Sequence, residues 1–346
     1  MGLPAPRAKH EDRETTEAKH LRRLGKKHEI FKLILDYRER CKLIDTYMWT
    51  PDADGKIRSI FGFHPSTWRK SSRNPNIQTI PKRNDLATAF RRTLVASKGH
   101  LLFEVDSAAV EAVLTGYYAE SSDLIRLAKA GIHDWITSAF HGIHIPLNLP
   151  DDELMARCKE AKAKWPEDRE KMKRCIYLSF YMGTPERMSE EYPLDFPDVK
   201  SARTVQEFFF STKPGQDVRA WHRRTLEQAH KDRFLEIPWR YRHYFYNVFA
   251  WDSKNQDWKL GDDAKRAVAF RPQASASAFQ SDCLLAVEES GHPDLINSLA
   301  WPVHDAIIGE APSEIVRDIV AELYGVMVAP INLLDGLTIG AEAKIG

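Results

Sequence analysis

Apolar residues at Ile30, Leu33, Leu35, Tyr37, Cys41 and Leu43 recur at helical spacing and predict an amphipathic helix ending near Tyr47. Residues 1–26 before it are polar, carry both charges and hold no stable apolar period, so they read as a flexible arm or a frayed helix. Pro51-Asp52-Ala53-Asp54-Gly55 is a turn, followed by a strand-like piece at 57–61. At 100–106 an apolar run ends on Asp106 and reads as a buried strand leading into an Ala-rich helix over 107–119. Helical patterning then continues to Gly183, interrupted at Ile145-Pro146 and Leu149-Pro150. Residues 184–260 mix a helix at 218–230 with loops and aromatic-rich segments. A helix over 274–290, a β-hairpin at 299–310, a helix at 313–327 and a strand at 337–345 complete the chain. Strands and helices alternate without a regular βαβ rhythm, which predicts an α+β fold. Residues 151–260 read as a helical insertion between two parts of one sheet domain.

Composition alters this little. With 346 residues, 43% of them apolar, the chain suits about two compact units or one larger unit carrying an inserted subdomain. Cys41, Cys158, Cys175 and Cys283 have no paired spacing, which argues against a disulfide framework and a Cys-based zinc site. No window approaches the roughly 18 apolar residues of a membrane span, and the N-terminus lacks the apolar core of a secretory signal. The expectation is a soluble protein of a reducing compartment, the cytoplasm.

Charge distribution changes the picture more. The net charge is only +1, yet Arg69, Lys70, Arg73, Lys82, Arg83, Arg91 and Arg92 are opposed within their run by Asp85 alone. A second cluster, Arg219, Arg223, Arg224, Lys231, Arg233, Arg240 and Arg242, is interleaved with Trp221, Trp239, Tyr241 and Tyr244. Such asymmetry permits a basic nucleic-acid channel on a neutral protein, and each run equally suits a solvated face.

Asp106 ends its apolar strand and Asp305 sits near the turn of an apolar hairpin. Carboxylates among Phe103, Val105, Val303 and Ile307 are costly to bury without a partner. Brought together by adjacent strands, they would form a site for two divalent cations, Mg²⁺ with Mn²⁺ as a substitute, about 4 Å apart. The alternative is that Asp106 caps the following helix and Asp305 occupies a turn. Glu111, on the helix after Asp106, would alone pass for a solvated residue. Over 165–183, Pro166 suits a helix start and Gly183 its end. Arg169, Lys173, Tyr177 and Tyr181 recur every four residues and share one gently spiralling face. Two cations followed by two aromatics suit a triphosphate and its sugar or base; a cationic face running into a packed aromatic one is the alternative. His133, His141 and His144 lack a nearby Cys or second carboxylate set and read as structural or surface histidines.

Taken together, these residues resemble family A DNA polymerases, the group of bacterial DNA polymerase I and its phage relatives. Residues 67–81 (TWRKSSRNPNIQTIP) resemble the family's TGRLSSxxPNLQNIP segment. Val105-Asp106-Ser107 with Glu111 resembles motif A, and Arg169-x3-Lys173-x3-Tyr177-x3-Tyr181 resembles motif B. Val303-His304-Asp305 resembles motif C, and Tyr37-Arg38-Glu39 with Thr46-Tyr47 the thumb-to-palm helix. The resemblance spans about residues 27–346.

It implies a right-hand polymerase fold with an antiparallel palm sheet, helical fingers and a truncated thumb. The thumb helix would occupy 27–55, the palm 56–150 and 261–346, and the fingers 151–260. It implies template-directed extension of a primer by dNTPs through two-metal phosphoryl transfer. Asp106 and Asp305, with the Ser107 carbonyl, would hold the metals, and Lys173 would join them in catalysis. Arg169 and Lys173 would contact the triphosphate, Tyr177 the sugar and Tyr181 the templating base, while Glu111 would exclude a ribose 2′-hydroxyl. Arg69, Ser71, Asn76, Gln78, Gln273 and His304 would meet primer–template DNA.

Several positions depart from the pattern. Ser107-Ala108-Ala109 replaces the usual Tyr-Ser-Gln, Ala306 a glutamate, Met182 a glycine and Ala269 an asparagine, and no aromatic residue closes the final strand. With only about fifty residues before the palm, the expectation is low processivity and no intrinsic proofreading, a separate chain supplying thumb, exonuclease or processivity function. Two rival readings are a catalytically weakened primer–template-binding subunit and a single-subunit RNA polymerase. Glu111 and the SSRNPNIQTIP segment favour DNA over RNA synthesis.

Overall fold

The computed structural model describes residues 16–25, 28–62, 67–81 and 85–346; residues 1–15 of the expected arm, and Lys82 and Arg83 of the first basic run, lie outside them. Its centre is a four-stranded antiparallel sheet in the order Gly340–Ile345, His100–Ala108, Ala306–Pro312, Leu299–Val303. On His100–Ala108 the side chains of Phe103, Val105 and Ser107 are buried, the period of two expected of a strand with one covered face. The helix Val316–Val328 packs across that strand and the final one, and the long helix Ala264–Glu289 lies against both it and Val110–Tyr118. Phe103, Val105, Ile307 and Leu323 belong to the continuous core so formed.

Gly309 shows how tightly the sheet is filled. A Cβ there would lie 2.3 Å from Phe103 Cζ and 2.3 Å from the Ser298 carbonyl oxygen. Backbone cannot yield as a flexible side chain does, so Gly309→Ala is expected to cost about 3 kcal/mol. The check is a lowered denaturant midpoint with an unchanged m value; an unshifted midpoint would show that the strand pair tolerates the methyl group.

A helical body occupies the middle of the chain: Asp151–Lys164, Pro166–Phe180, Pro185–Glu191, Val199–Ser211 and Lys213–Asp232. Side chains of Thr184, Asp198 and Thr212 each accept a backbone N–H at the start of one of these helices. Phe180, Phe209 and Trp221 fill the space between them. Two short hairpins follow, Phe234–Glu236 with Arg242–Tyr244 and Phe249–Asp252 with Asp257–Leu260.

Several expected boundaries move. The strand predicted to end at Asp106 continues to Ala108 because Ser107 and Ala108 pair with Ala341 and Gly340. Ala109 then adopts a left-handed conformation and the helix begins only at Val110. The strand expected at 57–61 is Ile60–Gly62, paired with Ser71–Arg73. The helix expected over 274–290 starts ten residues earlier and runs straight through Pro272. Residues 185–211, expected as loops and aromatic-rich segments, are mainly two helices, and the final strand shortens to Gly340–Ile345. Within the expected arm a helix runs Ala18–Gly25. On the helix Glu29–Tyr47, Ile30, Leu33, Tyr37 and Ile44 are exposed, whereas Phe31 and Tyr47 are buried. Among the described residues no helix is long and apolar enough to cross a membrane.

Candidate active site

Sheet register is what assembles the acidic residues. Asp106 stands opposite Ala306, and the backbone N–H of Ser107 donates to the Asp305 carbonyl at 3.1 Å. Asp305 therefore sits in the turn beside the end of the neighbouring strand, after His304, whose φ is +54°. Burial raises the Asp305 carboxyl to about 6, helped by the negative charges of Glu111 and Asp106 and opposed by Arg69. These four charged groups thus lie within electrostatic reach of one another. On the helix Val110–Tyr118, Glu111 is ion-paired with Arg69 and accepts a hydrogen bond from the Tyr181 hydroxyl at 3.0 Å.

The helix Pro166–Phe180 supplies the facing wall. Lys173, Tyr177 and Tyr181 line a cleft of about 560 Å³ together with Lys265, Arg266 and Gln273 from the long helix. Burial, then the charges of Glu111 and Asp305, push the Tyr177 hydroxyl up to about 12. Burial raises Tyr181 well above its ordinary value, Glu111 adding to the effect. Arg169, expected on the same face, is directed elsewhere: its Nε donates to Asp134 Oδ1 at 2.6 Å and its Nη1 to Glu170 at 2.7 Å. Asp134 is buried, and its pKa rises even beside that guanidinium because desolvation outweighs the attraction.

Next to this pair lies His133, expected as a structural or surface histidine and found buried. Its Nδ1 has no hydrogen-bond partner among the described residues, and its ring is 5.3 Å from that of Tyr177. Burial and then the charges of Arg169 and Lys173 push it down to about 3, so it is a neutral imidazole at the cationic end of the cleft. The available signal was His133-Asp134, two consecutive titratable residues in a helix, Ile132–Phe140, that holds no others.

The loop around 71–80 is braced by its own polar residues. Asn76 accepts from the Gln78 backbone N–H, Ser71 donates to the Gly62 carbonyl, and Gln78 Nε2 donates to the Pro302 carbonyl at 3.2 Å. Gln78 is thereby tied to the strand that leads into Asp305. Lys70 donates to Gln280 and Ser281, and Gln280 donates to the Ala306 carbonyl at 3.0 Å. Burial lowers Lys70 to about 8. The structure thus brings Asp106, Ser107, Asp305, Glu111, Arg69, Tyr177 and Tyr181 to one place, with Lys173 and Gln273 along the adjoining cleft. Ser71 and Asn76 face their own loop, and His304 is exposed in the turn.

The model of DNA polymerase family A matches residues 1–346. The chain belongs to this family. It is 28% identical to the thermostable DNA polymerase I of Thermus aquaticus, covering 91% of this chain and 36% of that one. To DNA polymerase I of Treponema pallidum (strain Nichols) it is 25% identical over 99% of this chain and 33% of the relative. The chain thus spans about a third of the length of these curated relatives. Its fold is similar to the POL domain of Pol1 from M. smegmatis, solved in complex with DNA primer-template and dNTP: TM-score 0.79, 21% identity, 99% of this chain and 58% of that one. The central antiparallel sheet is accordingly the palm of a right-hand polymerase fold.

Against the family pattern, Ala306 is buried directly opposite Asp106, so this acidic cluster is built on Asp106, Asp305 and Glu111 without a further carboxylate there. Met182 takes a left-handed φ of +56°, the conformation for which the family's glycine is suited.

Family A polymerases use divalent metal ions. Asp106 and Asp305, with the Ser107 carbonyl, supply hard oxygen donors of the kind such ions prefer. Burial first, and then the charges of Glu111 and Asp106, raise the Asp305 carboxyl against the pull of Arg69. Among the described residues no group of three or more His, Cys, Asp or Glu is placed to hold a metal. The fit is therefore to ions that take part of their shell from water and substrate phosphates.

Proposed function

We propose that this chain is a template-directed DNA polymerase that adds dNTPs to the 3′ end of a primer. The observation that carries the reading is the register that sets Asp106 beside Asp305, whose charge acts on Tyr177 of the Lys173–Tyr177–Tyr181 cleft. In the reaction, the primer 3′ oxygen bonds to the α-phosphorus of the dNTP as the bond to pyrophosphate breaks. Such a transfer needs positioning and charge neutralisation more than covalent help. Two Mg²⁺ ions held by Asp106, Asp305 and the Ser107 carbonyl would neutralise charge on the attacking and leaving oxygens. Lys173 supplies a cation to the departing phosphates, with Arg169 one helical turn away and neutral His133 beside both. Glu111, fixed by Arg69 and Tyr181, presents a carboxylate and a crowded wall where a ribose 2′-hydroxyl would otherwise fit, which favours deoxynucleotides. Gln78, Gln273, His304 and the loop of Ser71 and Asn76 are assigned to the primer–template end. Base selection is left to pairing, since phosphate contacts carry no sequence information.

The direct test is extension of a primed DNA with each dNTP supplied singly. Addition only of the nucleotide complementary to the next template base is expected. Tight primer–template binding with no extension by the intact chain would instead favour the binding-subunit reading.

Tyr177 yields a separate expectation. Its hydroxyl has no hydrogen-bond partner among the described residues, and its ring lines the cleft. A free hydroxyl there can satisfy a nucleotide that lacks its own 3′-hydroxyl, so dideoxynucleotides should be accepted readily. Tyr177→Phe should raise discrimination against them about tenfold, the worth of roughly one hydrogen bond. Competition between ddNTP and dNTP in primer extension measures it, and equal discrimination by both proteins would remove the hydroxyl from the argument.

A further inference from the structure

The ion pair of Arg169 with Asp134 ties the helix Pro166–Phe180 to the helix Ile132–Phe140. Arg169 stands one helical turn from Lys173, close enough to the cleft for its charge to be felt by the Tyr177 hydroxyl and by His133. Its guanidinium is nevertheless committed, with Nε donating to Asp134 at 2.6 Å and Nη1 to Glu170 at 2.7 Å. The two carboxylates are not equal partners. The Glu170 side chain is 50% exposed and screened by water, whereas that of Asp134 is 8% exposed.

Asp134 is also tightly seated. A Cβ on Gly131 would lie 2.6 Å from its Oδ2 and 3.4 Å from Cys158 Cβ, so the carboxylate rests against main chain beside a buried side chain. It has no room to follow a guanidinium that moves towards the cleft. No other cation stands ready to replace Arg169 there. His133 is neutral, and Lys162 acts on Asp134 by charge without a hydrogen bond among the described residues. Drawing Arg169 away to a phosphate would leave a buried acid that must stay unpaired or take up a proton, and either costs free energy near neutral pH. That cost opposes the hold of Arg169 on any polyphosphate in the cleft.

We infer that Asp134 is a positioning residue that reclaims Arg169 from the polyphosphate after transfer, limiting the grip on nucleotide and speeding the departure of pyrophosphate. It acts through Arg169 and touches no substrate itself. The inference rests on the reading of the Lys173–Tyr177–Tyr181 cleft as the nucleotide site. A plain structural tie between the two helices is the alternative, and it predicts the opposite sign: removing Asp134 would then loosen the site and weaken binding.

The experiment is calorimetric titration with inorganic pyrophosphate, in Mg²⁺ and without DNA, of the intact chain, Asp134→Asn, Arg169→Ala and the double variant. Asparagine keeps the size of the side chain and removes its charge; Asp134→Ser takes its place if that variant does not fold. Asp134→Asn should bind pyrophosphate about tenfold more tightly, the order expected when one charge-assisted hydrogen bond is released to a phosphate. With Arg169→Ala present, the same substitution should change affinity by less than about twofold, because there is no guanidinium to free. In primer extension, Asp134→Asn should show a KM for dNTP about tenfold lower, stronger inhibition by added pyrophosphate and a reduced kcat as release slows. Unchanged or weaker pyrophosphate binding, a gain that persists without Arg169, no binding by the parent, or failure of both Asp134 variants to fold would each overturn the inference. Tighter pyrophosphate binding by Asp134→Asn in a protein whose parent extends no primer would count against the polymerase reading and leave the Arg169–Asp134 device standing.

Discussion

Asp305→Asn should reduce primer extension by about 10³-fold or more and at the same time make the metal-free protein harder to unfold. The loss of activity follows from removing one of two carboxylates available to a divalent ion, an interaction worth several kcal/mol in the transition state. The gain in stability follows from the same geometry. Burial beside Glu111 and Asp106 holds the Asp305 carboxyl at about 6 rather than its ordinary 3.8. The folded protein therefore binds this proton more tightly than the unfolded chain does. That stabilisation is complete below about pH 4 and is lost as pH rises through about 6. Near neutral pH the ionised carboxylate should cost the fold about 3 kcal/mol, which the neutral amide avoids. In chelator, Asp305→Asn should melt higher than the parent at pH 7.5 and level with it at pH 4. Mg²⁺ should then raise the parent's Tm and leave the variant nearly unmoved. A melting difference that is the same at both pH values would show that the acidic cluster is not electrostatically strained. Undiminished extension would remove Asp305 from the chemistry.

The strain explains why the fold was easier to read than the site. The palm strand announces itself through the apolar run before Asp106 and the hairpin through Val303 to Ile307, because burying those residues requires a sheet. Where propensity and pairing disagree, pairing prevails. Ser107-Ala108 reads as the opening of an Ala-rich helix, but hydrogen bonds to the final strand keep it extended. The sequence starts the long helix only at 274, after Pro272, yet the thirteen other buried residues of that helix lie on both sides of the proline, from Ala264 to Val287. The two hairpins after residue 232 have strands of three or four residues with no clean alternation, too short to carry a period.

For the site, spacing along one helix was enough to align Lys173, Tyr177 and Tyr181, since a four-residue repeat keeps one face. It says nothing about what a side chain meets across space. Arg169 shares their repeat but turns to Asp134, a residue from another helix whose sequence neighbourhood marks it only as an acid amid apolar positions. His133 was legible as a titratable residue and not as one facing two cations, because that depends on how the helix Ile132–Phe140 packs against Pro166–Phe180. Glu111 illustrates the reverse case: without motif context it looks solvated, whereas its ion pair with Arg69 and hydrogen bond from Tyr181 make it a fixed wall of the site.

These unequal partnerships lead to a difference between two lysine- and arginine-deletion variants. Lys173→Ala should lower kcat/KM for dNTP by about 10²- to 10³-fold, comparable with removing one preorganised donor from a developing charge. Lys173 lines the cleft and has no acidic partner among the described residues, so its full charge is available to a triphosphate. Arg169→Ala should cost at least tenfold less, because Asp134 and Glu170 already offset the guanidinium and an incoming phosphate must compete with them. Lys173→Arg should recover part of the lost activity, since it restores the charge but not the compact ammonium. Single-turnover measurements over a range of dNTP concentrations separate binding from chemistry in each case. Equal losses at the two positions would mean that the ion pair with Asp134 opens before the nucleotide is gripped, and that Arg169 then acts with its charge undiminished.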